Sequence, residues 1–327
     1  MKKINEDIKS NSFKSVYLFY GEEAYLKQEY EKRLKKAICK DNDMNLDVFE
    51  GKSIIIDHIL DAAETLPFLA ERRLILVRES SLFVSGRKDD SEKMAVFTAD
   101  IPETTIMLFV ESNIDKRSRL YKRVTERGRA VEFKTPSEGE LVLWLTRIFK
   151  SKEKTISKPM AHLLLQTVGS SMDLLYREAH KLIDYIGQEV TGEDIEAVCT
   201  RSLESKIFDL TDAVGRGRLT DALDIYGNLL VMKEQPMMVL SMLARQFRMI
   251  LQCKELSQKG LSQEETAAAL GIRGFMVSKY VEQGRNFSRE KLIKSLKACL
   301  DADMKIKTGG MGDKLAVEML IIEYTGE

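Results

Sequence analysis

Val16-Tyr17-Leu18-Phe19-Tyr20-Gly21-Glu22-Glu23 is a β-branched and aromatic run that stops at one glycine and two carboxylates. Apolar side chains in unbroken succession predict a strand buried on both faces, as in a parallel sheet; a surface strand would alternate. The period then changes. Tyr25, Leu26, Tyr30, Leu34 and Ile38 recur at helical spacing as far as Cys39. Four further strand-like runs follow at residues 46–49, 74–77, 106–110 and 130–133. Between them the spacing predicts a helix capped by Ser53, with Ile55, Ile56, Ile59, Leu60 and Ala63 inward, and a basic helix over residues 116–127. Strands alternating with helices indicate an α/β unit with a parallel sheet covered on both faces, a nucleotide-binding-like architecture. Architecture alone does not give function.

Beyond Thr135-Pro136-Ser137 the pattern is helical throughout. Pro159 suits a first helical turn, and Gly169 follows that helix's end. A second helix begins at Met172 and closes at Gly187, and Thr191 with Asp194 forms a capping box for a third. Pro236 opens a long apolar helix through Met242, Phe247, Ile250 and Leu251. Ser262 with Glu265 is another capping box, and Ser288 caps a helix that ends before Gly309-Gly310. The reading is α/β plus all-α, in three parts: residues 1–135, 136–205 and 206–327.

At about 150 residues per domain, 327 residues suit two domains or three small ones. Lys plus Arg equals Asp plus Glu at 51 each, which excludes binding of nucleic acid or membrane by bulk charge but leaves room for a local basic patch. Cys39, Cys199, Cys253 and Cys299 stand singly, without the spacing of a thiolate metal site. His58, His162 and His180 are too scattered for a histidine-centred triad. No apolar run reaches the ~18 residues that span a bilayer, and the N-terminus has no apolar signal stretch, so a cytoplasmic location is expected. No catalytic residue, cofactor or metal is expected.

Gly51-Lys52-Ser53 has the end of a phosphate-loop motif, but Leu46 stands where its first glycine belongs, inside a strand. Gly51 reads as a turn glycine. The other candidate loop, Gly21-Glu22-Glu23, has no lysine or hydroxyl for phosphate and Mg²⁺, and its carboxylates would compete with phosphate for the helix dipole. Asp115-Lys116-Arg117-Ser118-Arg119-Leu120-Tyr121-Lys122-Arg123 is the densest basic stretch. Lys116, Arg119, Lys122 and Arg123 are candidate DNA contacts, weighed against a solvated helix face. Residues 261–283 resemble a helix-turn-helix, whose second helix would offer Lys279, Ser278 and Gln283 to base edges. In Thr65-Leu66-Pro67-Phe68-Leu69-Ala70-Glu71-Arg72-Arg73, two large apolar residues follow a proline at a helix end. They suit either insertion into a partner's pocket or a small satellite core.

Taken together, the chain resembles the delta subunit of the bacterial DNA polymerase III clamp loader. The resemblance rests on Tyr17-Leu18-Phe19-Tyr20-Gly21-Glu22-Glu23 with Tyr25-Leu26, Thr65-Leu66-Pro67-Phe68 with Arg72-Arg73-Leu74, and Asp115-Lys116-Arg117. It continues through Ile207-Phe208-Asp209-Leu210, Gln235-Pro236, Leu243-Ala244-Arg245-Gln246, Asp303-Met304-Lys305-Ile306-Lys307-Thr308-Gly309 and Leu315-Ala316-Val317-Glu318. It implies an AAA+-like α/β domain, a three-helix domain and a C-terminal helical collar. It implies a subunit without ATPase activity that binds the ring-shaped sliding clamp (beta) and helps open it, beside gamma or tau and delta prime subunits that hydrolyse ATP, with primed DNA inside the assembled loader. The family's clamp contact corresponds here to Leu66, Pro67, Phe68 and Leu69. Glu64 stands where clamp-binding peptides often begin with glutamine. The alternative is a helix-turn-helix DNA-binding regulator; a further one is an AAA+ ATPase with an unusual loop.

Overall fold

The computed structural model describes residues 1–40, 43–272 and 274–325. Arg273, within the helix-turn-helix candidate, and residues 326–327, at the end of the last segment, lie outside that set. Contacts divide the chain into two units, Met1–Pro136 and Ser137–Glu327.

The first unit runs α1 (Lys2–Ser10), β1 (Val16–Tyr20), α2 (Ala24–Cys39), β2 (Leu46–Glu50), α3 (Ile56–Glu64), β3 (Arg73–Arg78), α4 (Lys88–Phe97), β4 (Thr105–Glu111), α5 (Arg119–Arg127) and β5 (Arg129–Glu132). The strands form one parallel sheet in the order β2-β3-β4-β1-β5. They fall where the apolar runs predict. Central β1 and β4 are buried at every residue. Leu18 stands level with Phe109 and Ala130 in the neighbouring strands.

Side chains alternate between faces at a period of two. Val16, Leu18, Val77 and Phe109 share a core with Ile59 of α3, Met94 of α4, and Leu120 and Val124 of α5. Burying each such aliphatic or aromatic side chain contributes about 1.5–3 kcal/mol. On the opposite face Phe19 and Tyr30 of α2 both pack against Phe133, at ring distances of 5.2 and 5.5 Å. There the Tyr17 hydroxyl donates to Asp7 at 2.9 Å, and Arg129 adds a second donor at 2.7 Å, which fastens α1 to the sheet. Burial alone would raise the Asp7 carboxyl, but hydrogen bonds from Arg129 and Tyr17 overcome it and hold the group below the usual carboxylate range.

Two expectations change. Ser53 does not cap a helix: α3 begins at Ile56 with Ile55 extended before it. The Arg87 guanidinium fastens the preceding turn by donating to the carbonyls of Lys52, at 3.0 Å, and Ile54, at 2.5 Å. The basic helix starts at Arg119, because Ser118 caps it by accepting from the Tyr121 N–H at 3.2 Å. Lys116 therefore precedes α5.

The second unit is helical: α6 (Glu138–Ser151), α7 (Lys158–Val168), α8 (Met172–Tyr185), α9 (Gly192–Val198), α10 (Leu203–Gly215), α11 (Leu219–Val231), α12 (Pro236–Gln258), α13 (Gln263–Leu270), α14 (Gly274–Gln283), α15 (Arg289–Lys307) and α16 (Asp313–Thr325). The three helices expected within residues 136–205 are present as α7, α8 and α9, with α6 added ahead of them. Its start is a Ser137–Glu140 capping box, as Thr191–Asp194 and Ser262–Glu265 are for α9 and α13. Long α12 is central to the rest, packing against α10, α13, α14, α15 and α16. Phe247 and Ile250 of α12 are fully buried in a cluster that extends from Ile207 to Tyr324. Among the described residues no helix is long and apolar enough to cross a membrane.

Candidate functional site

The segment after α3 is a fixed loop with apolar side chains pointing outward. Helix α3 ends because Thr65 is extended and Pro67 follows, and the Thr65 hydroxyl closes the last turn by donating to the Asp61 carbonyl at 2.8 Å. Leu66 is 75% exposed, Phe68 53% and Leu69 87%, while Pro67 is half-buried. A satellite core under the loop is therefore not formed by these three side chains. Leu69 adopts φ +49°, a left-handed conformation uncommon for a leucine. Beneath the loop, Asn45 is completely buried. Its side-chain carbonyl accepts the Phe68 N–H at 2.6 Å, and its side-chain NH₂ donates to the Phe68 carbonyl at 2.9 Å. Arg73 reaches the Leu66 carbonyl at 3.3 Å and pairs with Asp47 at 2.7 Å. Glu64 is the exposed last residue of α3.

A second region lies at the C-terminal ends of the strands, where open parallel sheets bind ligands. Gly21 has φ +115°, and a Cβ there would come within 2.5 Å of the Phe133 carbonyl oxygen, so only glycine lets the loop close onto the end of β5. The Glu23 N–H donates to the same carbonyl at 3.1 Å, and its carboxylate caps α2 by accepting from the Tyr25 N–H at 3.3 Å. Next to this turn, buried Lys27 donates to the Glu111 carbonyl at 3.1 Å and the Ser112 hydroxyl at 3.4 Å. Burial lowers the Lys27 pKa, against the opposing pull of Glu79 and Glu111. Burial likewise raises the Glu111 carboxyl, although it accepts from the Ser80 N–H at 3.0 Å and from the Ser80 hydroxyl. Protein groups thus satisfy one another at this end of the sheet.

The basic stretch is largely paired. Lys116 meets Glu132 at 3.3 Å and lies over the Tyr20 ring; Arg119 meets Glu92 at 2.6 Å; Arg123 meets Glu126 at 2.9 Å. Lys122 is exposed and makes no ion pair among the described residues. The structure does not bring the four together on one helix. Helices α13 and α14 have a helix-turn-helix outline around Gly271 at φ +63°. Gln283, however, is buried, accepting from Gln246 at 2.9 Å and donating to the Phe208 carbonyl at 2.8 Å. Lys279 is half-buried near the Phe208 and Phe275 rings. Of the expected base-reading residues only Ser278 is exposed, which disfavours sequence readout. All four cysteines are free and buried, and burial pushes the thiols up, to about 11 for Cys39 and Cys253. No cluster of three or more metal-ligating side chains occurs among the described residues.

The family model described as DNA polymerase III, delta subunit, matches residues 17–134, and that described as DNA polymerase III delta subunit, C-terminal domain, matches residues 204–324. The chain belongs to the DNA polymerase III delta subunit family. It is 29% identical over 331 aligned positions to DNA polymerase III subunit delta of Bacillus subtilis (strain 168), covering 97% of this chain and 95% of that one. The solved Bacillus subtilis DNA clamp loader delta protein superimposes with a TM-score of 0.74 at 27% identity, over 100% of this chain and 99% of the other. The delta-family likeness thus runs through both units: an α/β unit with a parallel sheet, followed by helices. Sequence reasoning found the exposed loop of this family member but missed Asn45, whose partner Phe68 is 23 positions away. No short-range pattern announces such a contact.

Proposed function

We propose that this delta-family chain is the subunit of a clamp loader that binds the sliding clamp and helps open it, without hydrolysing ATP itself. The carrying observation is the set of exposed Leu66, Phe68 and Leu69 side chains on a loop whose backbone is fixed from below. An exposed apolar cluster of this kind suits a pocket on a partner, and the adjoining Pro67 restricts the backbone that carries it. Lys27, Glu23 and Glu111 support a role without nucleotide chemistry, since their polar groups satisfy one another. In the cytoplasm the chain would join gamma or tau and delta prime subunits and act on primed DNA. Residues 1–135 would form the clamp-binding domain, 136–205 a connecting helical domain and 206–327 the collar.

The test is titration of the same organism's clamp against the chain and its Phe68→Ala plus Leu69→Ala variant. Truncating two anchors should weaken binding well over tenfold, by about 2 kcal/mol or more. The melting temperature should hold, because both side chains face solvent. Unchanged clamp affinity, or wild-type chain that fails to bind, overturns the reading.

A further inference from the structure

We propose that Asn45 is a positioning residue that pre-forms the clamp-binding loop, holding Phe68 and Leu69 in their docking geometry before the clamp arrives. The inference rests on the clamp-binding reading above and extends it to a residue outside the apolar anchor.

Asn45 closes the short turn Asp43–Asn45 ahead of edge strand β2 and is completely buried. Both halves of its side-chain amide are spent on one residue, the oxygen on the Phe68 N–H and the nitrogen on the Phe68 carbonyl. A loop outside regular secondary structure normally leaves such groups to water. Here a buried side chain from 23 positions upstream satisfies them instead. The tie fixes the backbone at Phe68, beside the left-handed turn at Leu69, while both side chains stay in solvent. The tied residue thus shows its side chain outward, and what the two bonds fix is the way Phe68 and Leu69 are displayed. Arg73, itself oriented by Asp47, holds the loop's other end at the Leu66 carbonyl. Binding by a loop fixed in advance avoids the ordering entropy that a mobile one loses on docking. The role needs a donor and an acceptor on a short side chain: aspartate keeps the acceptor for the Phe68 N–H but loses the donor to its carbonyl, and alanine loses both.

The experiment uses the full chain and measures two things on wild type, Asn45→Ala and Asn45→Asp: hydrogen exchange of the Phe68 amide without clamp, and clamp affinity. Asn45→Ala should release the Phe68 amide to fast exchange and weaken clamp binding about tenfold. Asn45→Asp sets a buried carboxylate oxygen against the Phe68 carbonyl, so it should weaken binding at least as much as alanine, while Asn45→Ser, a smaller polar change, is measured alongside and remains informative if those two variants do not fold. In the Phe68→Ala plus Leu69→Ala background, Asn45→Ala should produce no further loss of affinity, since nothing remains to position. A merely structural asparagine would lower stability equally in both backgrounds without this dependence. Unchanged exchange at Phe68, or lost protection with unchanged affinity, overturns the proposal. If wild-type chain does not bind the clamp while Asn45→Ala still frees the Phe68 amide, the clamp reading fails and the role of Asn45 in that binding fails with it, although the tie itself stands.

Discussion

Gly21, Glu23 and Lys27 show how single residues can occupy the end of a parallel sheet with the protein's own hydrogen bonds. The missing glycine and lysine were legible in the sequence, because a phosphate loop has fixed spacing. What fills the region was not. Lys27 sits on α2 and its acceptor, the Glu111 carbonyl, ends β4, a contact across 84 positions that only the folded sheet creates. Burying an ammonium is costly unless its hydrogen bonds are met, so Lys27 is held in place by groups it would have to abandon to reach a phosphate. The capping carboxylate of Glu23 at the start of α2 repels phosphate from the helix N-terminus that would otherwise attract it. ATP titrated into the purified chain by calorimetry should therefore give no binding heat, with or without Mg²⁺, and no phosphate should be released. Stoichiometric ATP binding would refute the expectation.

Among elements, strands were the most legible and polar helices the least. The inner strands β3, β4 and β1 announce themselves because burial on both faces demands nearly continuous apolar residues, while edge strands β2 and β5 are only partly buried. Helices α1 and α4 do not: Lys2–Ser10 and Lys88–Phe97 are short, rich in charge and bury only one narrow side. Helix α5 was visible as a basic run, but the sequence did not show which of its cations are already paired. Arg119 and Arg123 already face Glu92 and Glu126, and Lys116 has left the helix for Glu132. These exposed pairs are individually weak, so phosphates can compete for them, but Lys122 alone starts unpaired among the described residues. Each phosphate contact contributes about 0.9 to the slope of log affinity against log salt on duplex DNA. Lys122→Ala should then lower the loader's DNA affinity and flatten that slope by roughly one unit, and adding Arg123→Ala should flatten it further. A slope unchanged in the double variant would return α5 to a solvated helix face.

At the scale of the whole molecule, the outer surface of α15 and α16 needs an explanation that its own core does not supply. Leu315, Met319 and Ile322 recur at intervals of four and three along α16, and Leu300 and Met304 are four apart on α15, which packs against it. All five are at least 44% exposed, while Ala316, Val317, Leu320 and Ile321 of α16 fill the buried cluster. Scattered exposed apolar residues need no partner, but a stripe at helical spacing on two adjacent helices suits a neighbouring helix. If residues 206–327 form the collar proposed above, this stripe is the surface through which it would meet a neighbouring subunit. The isolated chain should run as a monomer by light scattering and co-assemble with its ATPase partners through the stripe. Met304→Glu with Met319→Glu puts charges only where side chains already meet water, so the melting temperature should change little. A desolvated carboxylate in a helical interface is heavily penalised, so assembly should weaken more than tenfold while clamp binding by the isolated chain stays intact. Full assembly of that variant, or of a chain ending before residue 206, would show that the subunits join through another surface.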